Sequence, residues 1–199
     1  MITRTILGAV LTALALFTTG CGDDSGTTGS SHTSTGAIAA TPHNDADITF
    51  AQQMIPHHEQ AVEMAEFADG RTTNPLVLDL AGRVRAAQTP EIQTMTSWLR
   101  SWNAPAADST ETMPGMDHSG HAMPGGMTDE QMATLRDTKD AEFDRQWLTM
   151  MIVHHQGAIE MAETELTTGE NTDAKALAQK IIDAQEAEIR EMQPLIPQS

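Results

Sequence analysis

Cysteine and basic residues are scarce in this sequence, and each shortage argues against a class of function. The single cysteine, Cys21, argues against a disulfide framework and against a thiolate metal site. Lysine and arginine number 11 against 28 aspartate and glutamate residues, which gives a formal net charge of −17. An acidic chain is repelled by nucleic acid and by anionic lipid. We therefore predict no nucleic-acid partner and no docking on a bare membrane surface.

Recognisable catalytic motifs are also missing from the sequence. A ferritin-type di-iron oxidase needs Glu-x-x-His pairs on two helices, and no histidine here has a glutamate three residues before it. His58-Glu59 begins like a zincin motif, but Val62 stands where that motif has its second histidine. There is no P-loop and no Gly-x-Ser-x-Gly elbow. The sequence predicts no enzyme and no organic cofactor.

The N-terminal end has no apolar run long enough to cross a membrane as a mature helix. Residues 6–17 form a short apolar stretch after Arg4, which is typical of a secretory signal, and we predict a signal peptide over residues 1–20. The residues before Cys21 resemble a bacterial lipobox, which implies that this cysteine is lipidated. Residues 21–42 then predict a lipidated cysteine and a disordered tether. The expected location is the extracytoplasmic side of the cell envelope, anchored by lipid alone; the alternative is a secreted protein with an incidental cysteine.

What the chain does contain is an internal repeat, with its copies 97 positions apart. Residues 54–66 begin with Met-Ile-Pro-His-His, and residues 151–163 begin with Met-Ile-Val-His-His. A second element keeps the same offset: Gln88, Glu91, Ile92 and Met95 return as Gln185, Glu188, Ile189 and Met192. A fixed period of this kind predicts two copies of one structural unit.

The spacing of apolar residues predicts four helices, with little of the alternation that is typical of strands. The helices are expected over residues 45–68, 75–102, 129–166 and 173–194. Short connections make each repeat an antiparallel hairpin, so we predict an all-α four-helix bundle. Its parts are repeat one (43–102), a Met/His-rich linker (103–128) and repeat two (129–197). A late start near Pro56 is an alternative for the first helix.

Paired histidines lie in the apolar faces of the first and third predicted helices. Side chains three and four residues apart share a helix face, and this places each pair beside methionines. The residues are Met54, His57, His58, Met64, Met151, His154, His155 and Met161. Burying an unpaired polar group costs about 1–3 kcal/mol, so the imidazoles need partners. Glu91 and Glu188 are candidates, either as plain core partners or as carboxylates that orient metal-bound imidazoles. The alternative is an ordinary core of hydrogen-bonded histidines and packed methionines.

The linker between the repeats has a second collection of possible ligands. It includes Met113, Met116, His118, His121, Met123 and Met127. Thioethers suit Cu(I) and Ag(I), and imidazole suits Cu(I), Cu(II) and Zn(II). The Met-Asp-His-Ser string resembles the Met/His-rich repeats of bacterial copper- and silver-resistance proteins. We predict that this segment also binds metal.

The motif Met-Ile-x-His-His-x-x-Ala-x-x-Met-Ala, followed a helix later by Gln-x-x-Glu-Ile-x-x-Met, is similar to the domain of unknown function 305 family. The resemblance covers both repeats, residues 43–196, and the match is complete in residues 151–162. It implies a ferritin-like helical bundle and copper handling, with the paired histidines and neighbouring methionines as ligand candidates.

Three functions follow as expectations. The first is an extracytoplasmic protein that binds copper, as Cu(I), for sequestration, tolerance or delivery through Met/His ligands, with a copper-accepting or copper-exporting protein as a possible partner. The second is a ferritin-like, metal-dependent redox enzyme. The third is a structural or interaction module of the cell envelope that binds no metal.

Overall fold

Helices make up most of the chain that the structure describes, which is residues 42–107 and 123–196 of a computed structural model. The helices are α1 (Asp45–Phe67), α2 (Pro75–Ser101), α3 (Asp129–Asp137), α4 (Asp140–Thr168) and α5 (Thr172–Met192). A short 3₁₀ turn, Gln193–Leu195, follows α5. These residues contain no β-strand, and none of their helices is long and apolar enough to cross a membrane. The predicted all-α fold is confirmed.

Polar side chains fix where the helices begin. The side chain of Asn44 accepts the N–H groups of Ala46 and Asp47, and Asp47 accepts the N–H of Asn44 in return. This reciprocal pair satisfies backbone donors that have no partner inside the helix. Helix α1 therefore begins at Asp45 and continues through Pro56, so the alternative of a late start near Pro56 is wrong.

The third predicted helix is wrong in one respect, because the structure divides it into α3 and α4. The break falls after Asp137, and Asp140 has a φ of 56°. Aspartate tolerates this left-handed region better than most residues. The N–H of Asp140 donates to the carbonyl oxygen of Arg71, at 2.7 Å, in the turn between α1 and α2. A contact with a distant part of the chain therefore holds the break, and no proline or glycine signals it in the sequence.

The two repeats form hairpins, α1 with α2 and α4 with α5, and the hairpins pack against each other through α1 and α4. The result is a four-helix bundle. Residues at equivalent positions of the two repeats form hydrogen bonds between the hairpins at both ends of the bundle. Asp47 of α1 accepts the N–H of Asn171 at 2.9 Å, and Asp144 of α4 accepts the Nδ2–H of Asn74 at 2.9 Å. Each hairpin thus holds the connecting turn of the other.

Two apolar clusters fill the bundle on either side of the paired histidines. The first contains Met64 and Met151 together with Trp147, whose Nε1–H donates to the carbonyl oxygen of Met64 at 2.9 Å. The second contains Met54 and Met161. The two clusters flank a polar layer of histidines at the level where α1 and α4 cross.

Candidate metal centre

The four helix histidines meet at the contact between α1 and α4, as the sequence predicts. His57, His58, His154 and His155 are each 0% exposed. The rings of His57 and His154 lie one against the other, with centroids 3.7 Å apart and planes inclined by 36°. The two repeats therefore contribute equivalent histidines to one buried pair.

Two of the imidazoles are held by carboxylates of the second helix in each hairpin. Nε2 of His58 lies 3.0 Å from Oε2 of Glu91, and Nε2 of His155 lies 2.7 Å from Oε2 of Glu188. Because a carboxylate accepts, the imidazole Nε2 carries the proton in each pair. The unprotonated Nδ1 of each ring is then left as a lone-pair donor. Both predicted carboxylate partners are confirmed as contacts.

Helix α5 contributes a positively charged partner, Lys180, to the carboxylate of Glu91. Nζ of Lys180 lies 3.1 Å from Oε1 of Glu91. Burial tends to raise the pKa of Glu91, but the hydrogen bonds from His58 and Lys180 and the charge of Lys180 outweigh it, and the pKa falls below its ordinary value. Glu91 is therefore a carboxylate, and it orients the His58 ring.

Five imidazole nitrogens have no hydrogen-bond partner within the described part of the chain. They are Nδ1 of His57, Nδ1 of His58, both nitrogens of His154, and Nδ1 of His155. A buried polar atom without a partner costs about 1–3 kcal/mol. One nitrogen of a neutral His154 ring carries its proton, so four of these five atoms are lone-pair acceptors. Unpaired lone pairs gathered in one layer are available to a metal ion.

Burial favours the neutral form of three of these imidazoles, His57, His58 and His154. Burial, helped by the nearby His58, lowers the pKa of His57 to about 3. Burial and the neighbouring histidines lower the pKa of His154 well below its ordinary value. Burial also lowers the pKa of His58, although Glu91 opposes it. Neutral imidazole is the form that binds metal ions.

Methionines lie along the helices on both sides of the histidine layer. Met54, Met64 and Met151 are fully buried, and Met161 is 6% exposed. Met54 and Met161 share one apolar cluster, while Met64 and Met151 share the other. We refer to these four methionines and the four helix histidines as the Met/His core.

The end of the linker packs directly on this core. Nε2–H of His57 donates to the carbonyl oxygen of Pro124, at 3.0 Å. Gln60 and Met127 exchange two hydrogen bonds, of 2.9 and 2.7 Å. A Cβ at Gly157 would overlap the Pro124 carbonyl, so glycine makes room for the linker. The sequence reasoning missed this docking.

The sequence contains one signal for the docking of the linker. Gln60 and Gly157 occupy equivalent positions of the two repeats but differ, and both contact the end of the linker. Of the predicted linker ligands, Met123 and Met127 are described and partly buried. The other four, Met113, Met116, His118 and His121, lie outside the described residues, as does Cys21.

The comparisons with known proteins agree with this architecture. Residues 47–196 match the family described as Domain of unknown function (DUF305). The chain belongs to the DUF305 family. No curated protein matches it.

Solved structures of DUF305 proteins share the fold. A DUF305 protein from Streptomyces coelicolor is 34% identical, with a TM-score of 0.68 over 75% of this chain and 91% of that chain. A DUF305 fragment from Deinococcus radiodurans is 30% identical, with a TM-score of 0.67 over 78% and 97%. CopM in its Cu(II)-bound form is 33% identical, with a TM-score of 0.63 over 75% and 95%. CopM also matches in Cu(I)-bound, silver-bound and apo forms.

The donors that this DUF305 chain brings together suit a soft ion. Nowhere in residues 42–107 or 123–196 do three or more His, Cys, Asp and Glu side chains gather as a metal site. Thioethers and neutral imidazole nitrogens are the donors present, and this set fits Cu(I).

Proposed function

We propose that this DUF305 protein binds copper, as Cu(I), outside the cytoplasm and holds it for sequestration, tolerance or delivery to a copper-accepting or copper-exporting protein. The observation that carries the proposal is the Met/His core itself. Buried imidazoles leave Nδ1 atoms unpaired within the described residues, and buried methionines lie on both sides of them. The similarity to CopM, solved with Cu(I) and with Cu(II), supports the same metal.

Within this proposal the protein is a carrier of copper and not an enzyme. His58 and His155 would present Nδ1 to the ion while Glu91 and Glu188 hold their other nitrogen. A carboxylate on the far nitrogen fixes the ring and makes it a stronger donor. Met54, Met64, Met151 and Met161 would supply thioether sulfurs, which favour Cu(I) over harder ions.

The segments outside the described residues complete the proposal. Met113, Met116, His118 and His121 of the linker would bind copper beside the bundle. The signal peptide over residues 1–20 and lipidation of Cys21 would place the protein on the extracytoplasmic side of the envelope. Metabolic labelling with a clickable fatty acid, in cells expressing wild type or Cys21→Ala, tests the anchor.

Anaerobic titration of Cu(I) against a chromogenic chelator tests copper binding by the mature protein. The informative variant replaces Met54, Met64, Met151 and Met161 with leucine, because this exchange nearly conserves volume and removes the sulfur. We expect the bundle to lose at least about tenfold in Cu(I) affinity, comparing variants in a background without the linker ligands. Met132→Leu, another buried methionine, is the matched control and should bind as wild type does.

Two results would count against the proposal. One is wild-type protein that binds Cu(I) no more tightly than micromolar. The other is a copper-loaded protein that consumes dioxygen or peroxide catalytically, which would favour a redox enzyme.

A further inference from the structure

The two ends of the α1–α4 pair are covered differently, although the repeat makes them equivalent. Helix α3 packs on both helices where α1 ends and α4 begins. Arg136 of α3 lies over the ring of Phe67, the last residue of α1, with its Cζ 5.0 Å from the ring centroid. Met132 of α3 is 5% exposed and joins the apolar cluster of Met64 and Met151. Helix α3 thus seals this end of the Met/His core.

The opposite end, where α1 begins and α4 ends, has no such cover among the described residues. A cleft of about 380 Å³ lies there. Phe50 of α1 and Met161 of α4 form part of its walls, with Pro124 of the linker beside them. Phe50 and Met161 are the repeat equivalents of Trp147 and Met64, which lie buried on the covered side.

The cleft leads to the Met/His core. Met161 lines the cleft and is 6% exposed, whereas the other three methionines of the core are fully buried. Pro124 also lines the cleft, and its carbonyl oxygen accepts the hydrogen bond from His57. An ion that enters here therefore first meets the thioether of Met161. It does so beside the Pro124 carbonyl that accepts the hydrogen bond from His57.

The ionisable residues that line the cleft, among those described, all carry carboxyl groups. They are Asp45, Glu160 and Glu165. Asp45 and Glu160 are exposed carboxylates at the mouth. Glu165 is 1% exposed, and burial raises its pKa to about 8, so it is a neutral polar group on the inner wall at neutral pH. A negative mouth draws in cations and repels anions.

We propose that this cleft is the path by which Cu(I) enters and leaves the Met/His core. The inference rests on the proposed function and adds its route. Asp45 and Glu160 concentrate the cation at the mouth, and Met161 is the first ligand of the core that it reaches. The ion crosses unchanged, so the path governs the rates of binding and release and not the affinity.

A bulky side chain in the cleft wall tests the route. Thr49 lines the cleft, is exposed, and donates its hydroxyl to the carbonyl of Asp45 at 2.8 Å. Thr149 of α4 is a matched control, because it is exposed, does not line the cleft, and donates its hydroxyl at the same distance, 2.8 Å, to the carbonyl of Arg145. We expect Thr49→Trp to slow Cu(I) uptake from a chelator and its release about tenfold, with Kd unchanged, since access would wait on motion of the indole. Thr149→Trp should leave both rates as in wild type.

A charge variant tests the mouth without adding bulk. Glu160→Gln should slow uptake by about twofold at low ionic strength and by less at high salt. Glu163→Gln, an exposed neighbour that does not line the cleft, is its control. If wild type binds Cu(I) and folded Thr49→Trp exchanges it at the wild-type rates, the route is wrong while the proposed function stands. If wild type binds no Cu(I), both fail.

Discussion

At the scale of single residues, Glu165 departs most clearly from the repeat. It is 1% exposed and stands where repeat one has Ala68. A Cβ on Gly169 would meet carboxyl oxygens of both Glu165 and Asp47, so the two acids lie close together. Burial, together with the hydrogen bond and charge of Asp47, raises the pKa of Glu165 to about 8. The Glu165 carboxyl therefore holds its proton near neutral pH, beside an ionised Asp47.

Replacing Glu165 with glutamine should remove part of the dependence of stability on pH. The native state holds a proton at Glu165 that the unfolded chain releases above its ordinary pKa of 4.5. The stability is therefore present at low pH and is lost as pH rises through about 8. We expect the free energy of unfolding of wild type to fall by roughly 1–3 kcal/mol more than that of Glu165→Gln across this window. Urea unfolding from acid to alkaline pH measures it, with exposed Glu163→Gln as the control. Parallel curves for wild type and Glu165→Gln would contradict a protonated Glu165 in the native state.

At the scale of elements, the docked end of the linker depends on one glycine of α4. Alanine at a helical glycine normally stabilises by about 0.5–1 kcal/mol. Gly82 of α2 has open space where a Cβ would be, whereas Gly157 faces the Pro124 carbonyl and Gly125. We expect Gly82→Ala to stabilise and Gly157→Ala to destabilise by about 1–3 kcal/mol, because the linker must lift away from His57 and Gln60. Thermal and urea unfolding compare the two, and equal stabilisation by both alanines would show that the linker is not held there.

The sequence predicted the elements well where the signals are local. The expected helix bounds agree with the structure within a few residues, apart from the break between α3 and α4. In the structure the side chains of Asn44, Asn74 and Asn171 cap the helices that follow them. The break before α4 could not be predicted, because Asp140 bonds Arg71 of the other hairpin across the fold. The helix propensity of the neighbouring residues does not depend on such a long-range contact, so it cannot predict the break.

The candidate site divides in the same way. Helical spacing placed the histidines on the inner faces, and the shared offset pointed to Glu91 and Glu188 as partners. The ring contact of His57 with His154 depends on how the hairpins pack. The hydrogen bond from His57 to Pro124 depends on where the linker returns to the bundle. Both are tertiary facts, and the pattern of one helix does not contain them.

At the scale of the whole molecule, a duplicated hairpin has become two unlike halves. The hydrogen bonds of Asp47 with Asn171 and of Asp144 with Asn74 preserve the symmetry of the repeat. Helix α3 breaks the symmetry, because it covers one end of the α1–α4 pair. The opposite end, which has no equivalent helix among the described residues, contains the cleft. A symmetric core with one open end can hold its ligand in shared coordination and still exchange it from a single side.

The burial of His57, His58 and His154 predicts how copper binding at these three histidines depends on pH. Protons compete with a metal for an imidazole when the ring titrates, which for a free histidine is near pH 6.5. Burial lowers the pKa of His57 to about 3, and the pKa values of His58 and His154 also lie below normal. Cu(I) affinity of the bundle should therefore change by less than about threefold between about pH 7.5 and about pH 5, whereas one exposed imidazole would cost roughly thirtyfold. The measurement is a chelator competition at both pH values with His118→Ala/His121→Ala, in which the remaining pH dependence is that of the bundle; a fall of tenfold or more there would mean that copper binds to histidines that water reaches.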